Sequence, residues 1–504
     1  MTLRLATGLG LAALLAVAAT LYLTRLSFVP PYLMQDEVNF ALQAHSIATT
    51  ARDTNGRLLP VFFSEVGFEA GRDPLMIYWT ALFLTVQPLS EAAVRFPSAL
   101  LGVLTIALLF VLVRWWTTSD LLALVAAGCL ALTPGYFTNM RLALSHTYGI
   151  PFSVLWLMCM HRALGAAPGW ACAAGAMLGL GTYSYLGNTI VMPTLLATGM
   201  VVLYRSGQTR AALWSLAGFA ILMAPLAYWL LHHPDRFTQL FAVYRPADGW
   251  AAWRDRLSAY WMFFNPDYLF VSGDGRMTNS TRAAGLLPLA FALLLPLGVY
   301  RLIKGDGGRL GWLIVAGFFL TPLASALSGR LEINRVQTAI PFAVLTTTAG
   351  AAAWLRHPGA GRWTAAALIA AVVLQFGVFY RDYVGSYRSG SSRWFGGDQS
   401  TAIRSVLDRL ASAPARVYLD RRTPIERYWL FYAAQRGRLD LVDWPTYYTG
   451  VTADMLEAPR DSLLICEPLD PVCQTIARDS RWNRADAGRL PDGTISHEVW
   501  VKQR

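Results

Sequence analysis

The chain has 504 residues, of which 55% are hydrophobic and 14% are charged, and its formal net charge is +11. Soluble domains carry about 25% charged residues, so this composition excludes an ordinary soluble protein and predicts an integral membrane protein. The mean hydropathy of +0.39 agrees with that prediction.

The positive charge comes almost entirely from arginine, since all but two of the 42 basic residues are of that type. A bias in the base composition of the genome is one explanation. The other is functional, because guanidinium groups hold phosphate oxygens through paired hydrogen bonds. The arginines are scattered and form no stripe beside a recognition motif, which excludes nucleic acid as a partner. Membrane lipids, including a lipid phosphate, are the partners that we expect.

Apolar blocks of about 20 residues, the length that spans a bilayer, recur along the chain. They predict about eleven transmembrane helices, at roughly 6–26, 92–113, 120–138, 144–164, 169–186, 189–204, 211–231, 284–302, 310–327, 337–355 and 363–381. The run LAALLAVAAT in the first block also fits a signal peptide with a small-residue cleavage site. It continues through LYLTRL, which favours an uncleaved first span.

The orientation follows from the short loops, which carry arginine or lysine and therefore face the cytoplasm. These loops are 114–119, 161–168, 205–210, 301–309 and 356–362. The adjacent carboxylates Asp36 and Glu37 then lie on the outer side, and so does everything after about residue 382. We expect a multi-pass protein of the inner (plasma) membrane, with its long loops and C-terminal segment outside the cytoplasm.

The first outer loop, residues 27–90, contains two amphipathic or apolar stretches. The stretch after Asp36 places apolar and polar side chains on different helical faces, which predicts a helix lying in the membrane interface. A turn around Asn55-Gly56 follows. A second short helix is predicted from Pro74, because proline favours a first helical turn. The polar segment before it contains Glu65, Glu69, Arg72 and Asp73.

Residues 384–504 have shorter apolar runs and more charge, which predicts a separate outer α/β domain after a membrane domain at 1–383. STAIRSVLDRL and IERYWLFYAAQ are typical of helices, and ARVYLD, DSLLICE and SHEVWVKQ of strands. The segment has neither a nucleotide-binding loop nor a nucleophile motif. Binding the acceptor and bracing the outer loops are the two roles that remain open.

Two of the five cysteines, Cys466 and Cys473, fall in this outward segment. Oxidising conditions there favour a structural disulfide between them, and two unpaired thiols are the alternative. The other three lie inside predicted spans and are interpreted as small packing residues.

Several stretches together resemble the polytopic glycosyltransferases of the GT-C class. The most specific are MQDEVNFA (34–41) and GFEAGRDPLMIYW (67–79), with further support from NPDYLFVSGDGR (265–276) and from Arg335 in EINRVQTAIP. The chain is most similar to the bacterial relatives of protein O-mannosyltransferase and of the lipid A aminoarabinose transferase (glycosyltransferase families 39 and 83). The resemblance covers about residues 1–383 and implies a GT-C-like helical fold.

The resemblance also implies an activity. A sugar would move from a polyprenyl-phosphate donor to a hydroxyl of an acceptor lipid, glycan or protein on the outer face, with inversion. Asp36 would be the general base, because the family's catalytic acid stands first in this loop motif; an N-cap of the interface helix is the alternative role. Glu37 points about 100° away on a helix and cannot share the role of Asp36. It either orients the substrate-binding loop through an arginine or is merely solvated.

The resemblance implies phosphate and substrate ligands at other positions. Glu69 and Arg72 stand where the aminoarabinose transferases have a Glu-Lys pair, although here the basic residue is displaced. Arg141 stands at the place of a basic residue in related enzymes. Some relatives have a second acid shortly afterwards, where this chain has Ser145 and His146, so Asp36 is expected to work alone. His146 either assists a phosphate or proton or is simply hydrogen-bonded.

Three further candidates lie at outward ends or loops. Tyr183 belongs either to the aromatic belt or to a sugar contact. Arg245 and Arg335 either meet a diphosphate or extend to lipid headgroups, and the position of Arg335 beside Pro341 resembles the family. No motif requires a cofactor, and the involvement of a divalent cation is open, as is any metal site.

A transporter or flippase of a lipid-linked or anionic substrate is the alternative function. It would show charged or broken helices in mid-span, whereas the charges here cluster at the outward ends. A structural or assembly protein would not need an outward Asp-Glu flanked by arginines. A glycosyltransferase therefore agrees best with the sequence.

Overall fold

The computed structural model describes residues 2–65, 68–72, 74–165, 167–235, 238, 242, 249–356 and 359–503, with the side chains of 2–5, 64–65 and 68–72 left out. These residues form two compact units. The first comprises Met1–Thr24, Asn55–Trp79 and Arg95–Asp382, and the second comprises Arg25–Thr54, Thr80–Val94 and Tyr383–Arg504.

The helices follow one another in chain order. They are α1 (Thr2–Leu23), α2 (Gln35–Thr50), α3 (Pro74–Leu84), α4 (Glu91–Thr117), α5 (Asp120–Ala131), α6 (Pro134–Met140), α7 (Gly149–Leu164), α8 (Pro168–Thr182), α9 (Asn188–Arg205), α10 (Thr209–His232), α11 (Trp250–Phe263), α12 (Phe291–Ile303), α13 (Gly308–Leu320), α14 (Leu323–Leu327), α15 (Ala339–Leu355), α16 (Ala360–Val384), α17 (Ser386–Gly390), α18 (Gln399–Ser412), α19 (Ile425–Gln435), α20 (Ala453–Leu456) and α21 (Pro471–Arg478).

The strands are fewer and lie in two places. They are β1 (Phe63–Glu65), β2 (Phe68–Arg72), β3 (Val417–Asp420), β4 (Thr446–Tyr448), β5 (Leu463–Cys466), β6 (Trp482–Arg489) and β7 (Ile495–Lys502). The first two form an antiparallel pair, and the other five form one sheet in the order β4-β3-β5-β7-β6.

The predicted fold class, an α-helical membrane protein with a small C-terminal α/β part, is confirmed. Every predicted span contains a helix. Among the described residues, five helices are long and apolar enough to cross a membrane, or six when α5 and α6, bent by 61°, are counted as one span. Several others have fewer than 18 residues, α7 and α15 among them. The number of about eleven spans therefore stays a prediction.

Glycine brings helices of the first unit unusually close. A Cβ atom built at Gly175 of α8 would lie 1.8 Å from the carbonyl oxygen of Ser215 in α10, and one at Gly218 would lie 2.0 Å from that of Cys172. Gly298 and Gly350 join α12 and α15 in the same reciprocal way, with 1.9 and 2.1 Å to facing carbonyl oxygens. Small residues drive such close packing in membranes, where dispersion contacts replace the hydrophobic effect.

The sheet of the second unit has a parallel and an antiparallel part. β3 pairs in parallel with both β4 and β5, whereas β7 runs antiparallel to β5 and β6. The three predicted strands and two predicted helices are present as β3, β5, β7, α18 and α19. Sequence reasoning missed β6, because four successive residues of this strand are exposed and give no apolar alternation.

The disulfide lies inside this unit. Cys466 at the end of β5 and Cys473 in α21 are bonded, with their Cα atoms 5.5 Å apart. Both side chains are buried in the core beside Trp482 and Trp500. The bond therefore ties the last residue of a central strand to the helix that follows it.

Residues 27–90, the predicted first outer loop, contain both predicted short helices, α2 and α3. Between them lies the β1–β2 pair, which the sequence did not predict. The segment 25–54, which carries α2, belongs to the second unit together with residues 383–504. The division at residue 383 into a membrane domain and an outer domain stays a prediction.

Candidate functional site

Asp36 and Glu37 lie in the first turn of α2 and have different surroundings. Met34 is the N-cap of this helix. Its backbone N–H donates a hydrogen bond to the Glu37 carboxylate at 3.0 Å. A carboxylate at this position also interacts favourably with the positive end of the helix dipole. Glu37 is fully buried, whereas Asp36 is half-buried. The fold thus uses Glu37 for capping.

The alternative role of Asp36 as an N-cap is wrong. The helix begins at Gln35, so Asp36 is its second residue, and the N-cap position belongs to Met34. An N-cap must precede the first helical residue in order to accept hydrogen bonds from the following N–H groups. This result removes one structural explanation for Asp36 and leaves its predicted catalytic role untested.

The segment that leads into α2 is held by side chains from the C-terminal part of the same unit. The buried Tyr428 hydroxyl of α19 donates to the carbonyl oxygen of Leu33 at 2.8 Å, three residues before Asp36. The Tyr32 hydroxyl donates to the carbonyl oxygen of Arg489 at 3.0 Å. Further contacts on this segment are Tyr383 to the carbonyl of Val29 (3.3 Å), Arg388 to the carbonyl of Phe28 (3.2 Å), and the Arg388 guanidinium over the Phe28 ring (4.2 Å).

A second anchor joins residues 80–94 to the C-terminal helices. The Glu91 carboxylate accepts hydrogen bonds from Arg404 at 2.6 Å and from the Tyr432 hydroxyl at 3.2 Å. The Arg404 guanidinium also lies over the Tyr432 ring, 4.8 Å from its centroid. Such a shared, partly buried network holds its members more firmly than an exposed ion pair does. Residues 383–504 therefore brace both of the earlier segments that belong to this unit, 25–54 and 80–94.

In the first unit, Arg141 is buried and faces the end of α1. Its Nη1 atom lies 2.6 Å from the carbonyl oxygen of Leu21, 2.8 Å from that of Tyr22 and 2.9 Å from that of Thr24. The last carbonyls of a helix have no partner within the helix, and a cation there satisfies them. This geometry favours a structural role for Arg141. Its predicted contact with substrate stays a prediction.

His146 lies in a 3₁₀ turn, Ser145–Thr147, and its protonated nitrogen can be assigned from its neighbours. Asn139 donates through Nδ2 to the carbonyl oxygens of Gly135 (2.8 Å) and Asn279 (3.1 Å). The amide oxygen of Asn139 is then the acceptor that faces His146 Nε2 at 3.1 Å. With that amide orientation, Nε2 carries the hydrogen of the neutral ring and Nδ1 is left as the acceptor.

Three turns from different parts of the first unit meet around this histidine. The His146 and Tyr185 rings contact edge to face, with centroids 6.1 Å apart. The 3₁₀ turn Ile333–Arg335 lies beside the turn of His146. A Cβ atom at Gly187 would lie 3.7 Å from Cγ of Arg335. His146, Tyr185 and Arg335 therefore lie close together.

Arg335 is oriented by its own loop. Its guanidinium pairs with Glu332 at 3.1 Å and donates to the Ser328 hydroxyl, and its side chain is 12% exposed. An arginine so held is pre-organised, so little further side-chain entropy is lost when it binds an anion. Of the predicted ligands with described side chains, Arg335 has the geometry best suited to a phosphate.

Tyr183, the tyrosine chosen from the sequence, replaces one backbone hydrogen bond of α10. Its hydroxyl donates to the carbonyl oxygen of Leu222 at 2.7 Å and accepts from the N–H of Leu226 at 3.1 Å. These two groups would normally bond to each other along α10, which contains Pro225 at this point. The contact of Tyr183 with substrate is untested, and the structure places Tyr185 beside His146 instead.

Three predicted ligands are not described well enough to place. The backbones of Glu69 and Arg72 lie in β2, but their side chains fall outside the described part of the chain, and Arg245 lies outside it altogether. Within the described residues, no group of three or more His, Cys, Asp or Glu side chains is arranged to hold a metal ion.

Sequence reasoning missed Asn139, Tyr428 and Glu91, and of the neighbouring Tyr183 and Tyr185 it favoured Tyr183 for a sugar contact. The sequence does point to Tyr185, since it stands in the same short connection as Tyr183. The spacing of the two tyrosines alone does not say which ring faces His146. Nothing in the sequence points to Tyr428, because its partner Leu33 lies 395 residues away in the chain.

Comparisons with known proteins agree with this architecture. Residues 72–229 match the family model for dolichyl-phosphate-mannose-protein mannosyltransferase. The apo structure of ArnT from Cupriavidus metallidurans is similar over 98% of each chain, with a TM-score of 0.63 and 12% identity. The same protein bound to undecaprenyl phosphate is similar over 97% of each chain, with a TM-score of 0.60 and 13% identity.

The structure of the Archaeoglobus fulgidus oligosaccharyltransferase tethered with an acceptor peptide is less similar, with a TM-score of 0.49 and 12% identity. The match covers 98% of this chain and 74% of that one. A search of curated protein sequences found no significant match. The resemblance to the GT-C class is confirmed by the family model and by the ArnT fold.

Proposed function

We propose that this protein transfers a sugar from a polyprenyl-phosphate donor to an acceptor hydroxyl on the outer face of the membrane. The observation that carries the proposal is the similarity to ArnT over nearly the whole of both chains. The match of residues 72–229 to a mannosyltransferase family model supports it independently of the fold.

The donor is the part of the proposal that a relative illustrates most directly. ArnT has been crystallised with undecaprenyl phosphate, and we propose a lipid phosphate of the same class for this chain. Arg335 is the phosphate ligand that we favour, because its guanidinium is already oriented by Glu332 and Ser328. Arg72 and Arg245 are proposed ligands on the strength of their sequence context alone.

Asp36 is proposed as the general base. Its carboxylate would take the proton of the acceptor hydroxyl as the oxygen attacks the anomeric carbon. The bond from that carbon to the phosphate oxygen would break on the opposite face, and the phosphate would leave with the electron pair. Such a displacement inverts the configuration and needs one base beside the nucleophile and cations around the departing phosphate. The capping of α2 by Glu37 supports this assignment, since it leaves Asp36 without the N-cap role.

Residues 383–504 are proposed to support the reaction indirectly. Their contacts with residues 28–34 and with Glu91 support a bracing role, because they restrict the backbone just before α2 and at the start of α4. We propose that this part of the protein, like Asp36, lies outside the cytoplasm. The arginines of the short loops support that orientation.

The test is transfer from a labelled polyprenyl-phosphate sugar by purified full-length protein. Asp36→Asn keeps the size of the side chain but cannot take the proton, so we expect the rate to fall by roughly 10²–10⁴-fold while donor binding is unchanged. Glu37→Gln is the matched control: it should lower stability, with near-normal transfer by the folded fraction. Full activity of a correctly inserted Asp36→Asn variant would remove Asp36 as the base.

The same preparation separates the alternative functions. A transporter or flippase would move the labelled lipid between the leaflets of a vesicle without breaking the sugar–phosphate bond. Release or transfer of the sugar by the wild-type protein, abolished together with Asp36, supports the glycosyltransferase.

A further inference from the structure

A cavity of about 640 Å³ lies between α9 and α13 of the first unit. Most of its wall is apolar, and it is bounded by two arginines. The lining residues are Thr194, Ala197, Thr198, Val201, Val202, Arg205, Ser206, Arg309, Trp312 and Ala316. Its volume is within the range of about 300–1,000 Å³ that is usual for sites of small ligands. It contains none of the residues that we assign to sugar transfer.

The hydroxyl groups of the polar residues along the wall already donate their hydrogens within α9. Thr194, Thr198 and Ser206 each donate to a carbonyl oxygen one turn earlier in α9, at 2.7, 2.8 and 2.6 Å. Their methyl and methylene groups, together with Val201 and Trp312, are what a ligand would meet. Such a wall suits an alkyl chain.

The two arginines differ from Arg301 and Arg356, which also belong to short loops. Arg301 and Arg356 both pair with Asp306, at 2.7 and 3.6 Å. Arg205 and Arg309, by contrast, are exposed and form no ion pair or side-chain hydrogen bond with any residue that the structure describes. Two unneutralised cations therefore stand at the end of an apolar cavity, where a ligand with a negative head and an apolar tail would be complementary to both features.

The position of the arginines points to the class of lipid. Both belong to loops that carry excess positive charge, the type that faces the cytoplasm. The cytoplasmic leaflet contains anionic phospholipids, and basic pockets between transmembrane helices on that side bind their headgroups. A tryptophan such as Trp312, which is 49% exposed, is common at the level of the headgroups.

We propose that this cavity binds an anionic glycerophospholipid, with its phosphate between Arg205 and Arg309 and one acyl chain along α9 and α13. The inference rests on the placement and predicted orientation of the protein in a membrane, and only the separation of this site from the donor rests on the proposed sugar transfer. The site is a lipid site separate from the donor, since the arginines lie on the predicted cytoplasmic side and the reaction is proposed on the outer face.

The experiment uses full-length protein in phosphatidylcholine nanodiscs, titrated with phosphatidylglycerol and followed by native mass spectrometry. Arg205→Gln with Arg309→Gln should weaken the preference for phosphatidylglycerol by about 25-fold, since each arginine near a membrane surface contributes about 5-fold. Arg210→Gln with Arg362→Gln removes the same charge from exposed residues outside the cavity and should leave the preference unchanged. Equal losses in both double variants would show attraction by net charge and overturn the site.

Two further measurements test the chain and the identity of the lipid. Ala316→Trp fills the cavity and should abolish retention of phosphatidylglycerol while the folded protein keeps its transfer activity. Unchanged retention in that variant would overturn the acyl-chain part of the proposal. Displacement of phosphatidylglycerol by polyprenyl phosphate at equal concentration would overturn the assignment to a glycerophospholipid and assign the cavity to the donor.

Discussion

Tyr428 couples the C-terminal part of the second unit to the segment that carries Asp36, so Tyr428→Phe is a direct test of the bracing role. The substitution removes one hydroxyl and keeps the ring. In the wild type this hydroxyl donates to the carbonyl oxygen of Leu33 at 2.8 Å, and the Tyr428 side chain is 3% exposed. The variant thus leaves a buried acceptor without its donor.

The cost can be worked out from that contact. A buried polar group that loses its partner is destabilised by about 1–3 kcal/mol. This energy shifts the equilibrium between the attached and the detached state of the segment before α2 by about 5- to 150-fold. The contacts of Tyr32, Tyr383 and Arg388 still hold the segment, so this range is an upper limit for the loss of rate. Donor affinity should not change, because the donor's phosphate ligands are proposed elsewhere.

Two measurements check this prediction: the transfer rate at saturating donor, and amide hydrogen exchange over residues 28–37. Tyr432→Phe is the matched control, since Tyr432 lies one turn later in α19, is 2% exposed and donates to Glu91 instead. We expect faster exchange over residues 28–37 in Tyr428→Phe alone, with slower transfer in that variant. Wild-type rate and exchange in Tyr428→Phe would refute the bracing by this contact, and equally fast exchange over residues 28–37 in the control would show that the change does not depend on it.

Three other predictions follow from single contacts. Arg141→Gln should lower the free energy of unfolding by at least about 3 kcal/mol, because three carbonyl groups at the end of α1 lose their hydrogen-bond donor. A stable variant that no longer binds the polyprenyl-phosphate sugar would instead make Arg141 a ligand. Replacing Cys466 and Cys473 by serine opens a short loop and should cost about 2–3 kcal/mol, and two free thiols in protein from an oxidising compartment would contradict the bond. Burial lowers the pKa of His497 to about 4. The unfolded chain, with a His pKa of about 6.5, then binds more protons between those pH values, so stability should fall by on the order of 3 kcal/mol as the pH drops from about 6.5 to 4. His497→Gln should flatten that dependence in a pH series of thermal unfolding, although Glu467, 3.7 Å away with a pKa raised by burial, contributes in the opposite sense.

The sequence alone determined the features that depend on local composition. Apolar blocks long enough to cross a bilayer are recognisable without any partner, because the free energy of a span depends on its own side chains. The same holds for β3 and β5, which are short and buried and whose apolar runs stand between turn residues. The motif around Asp36 likewise indicated the GT-C class before any contact was known.

Only the tertiary structure decided what each site residue touches. Asp36 and Glu37 are neighbours in sequence, yet Glu37 caps α2 and Asp36 does not. Arg141 meets the end of α1, about 120 residues earlier, and Tyr428 meets Leu33, 395 residues earlier. Such pairings arise when whole elements pack, and no periodicity within one helix encodes them. The local pattern therefore predicted the helices, while the packing of distant segments selected which polar side chains serve the fold.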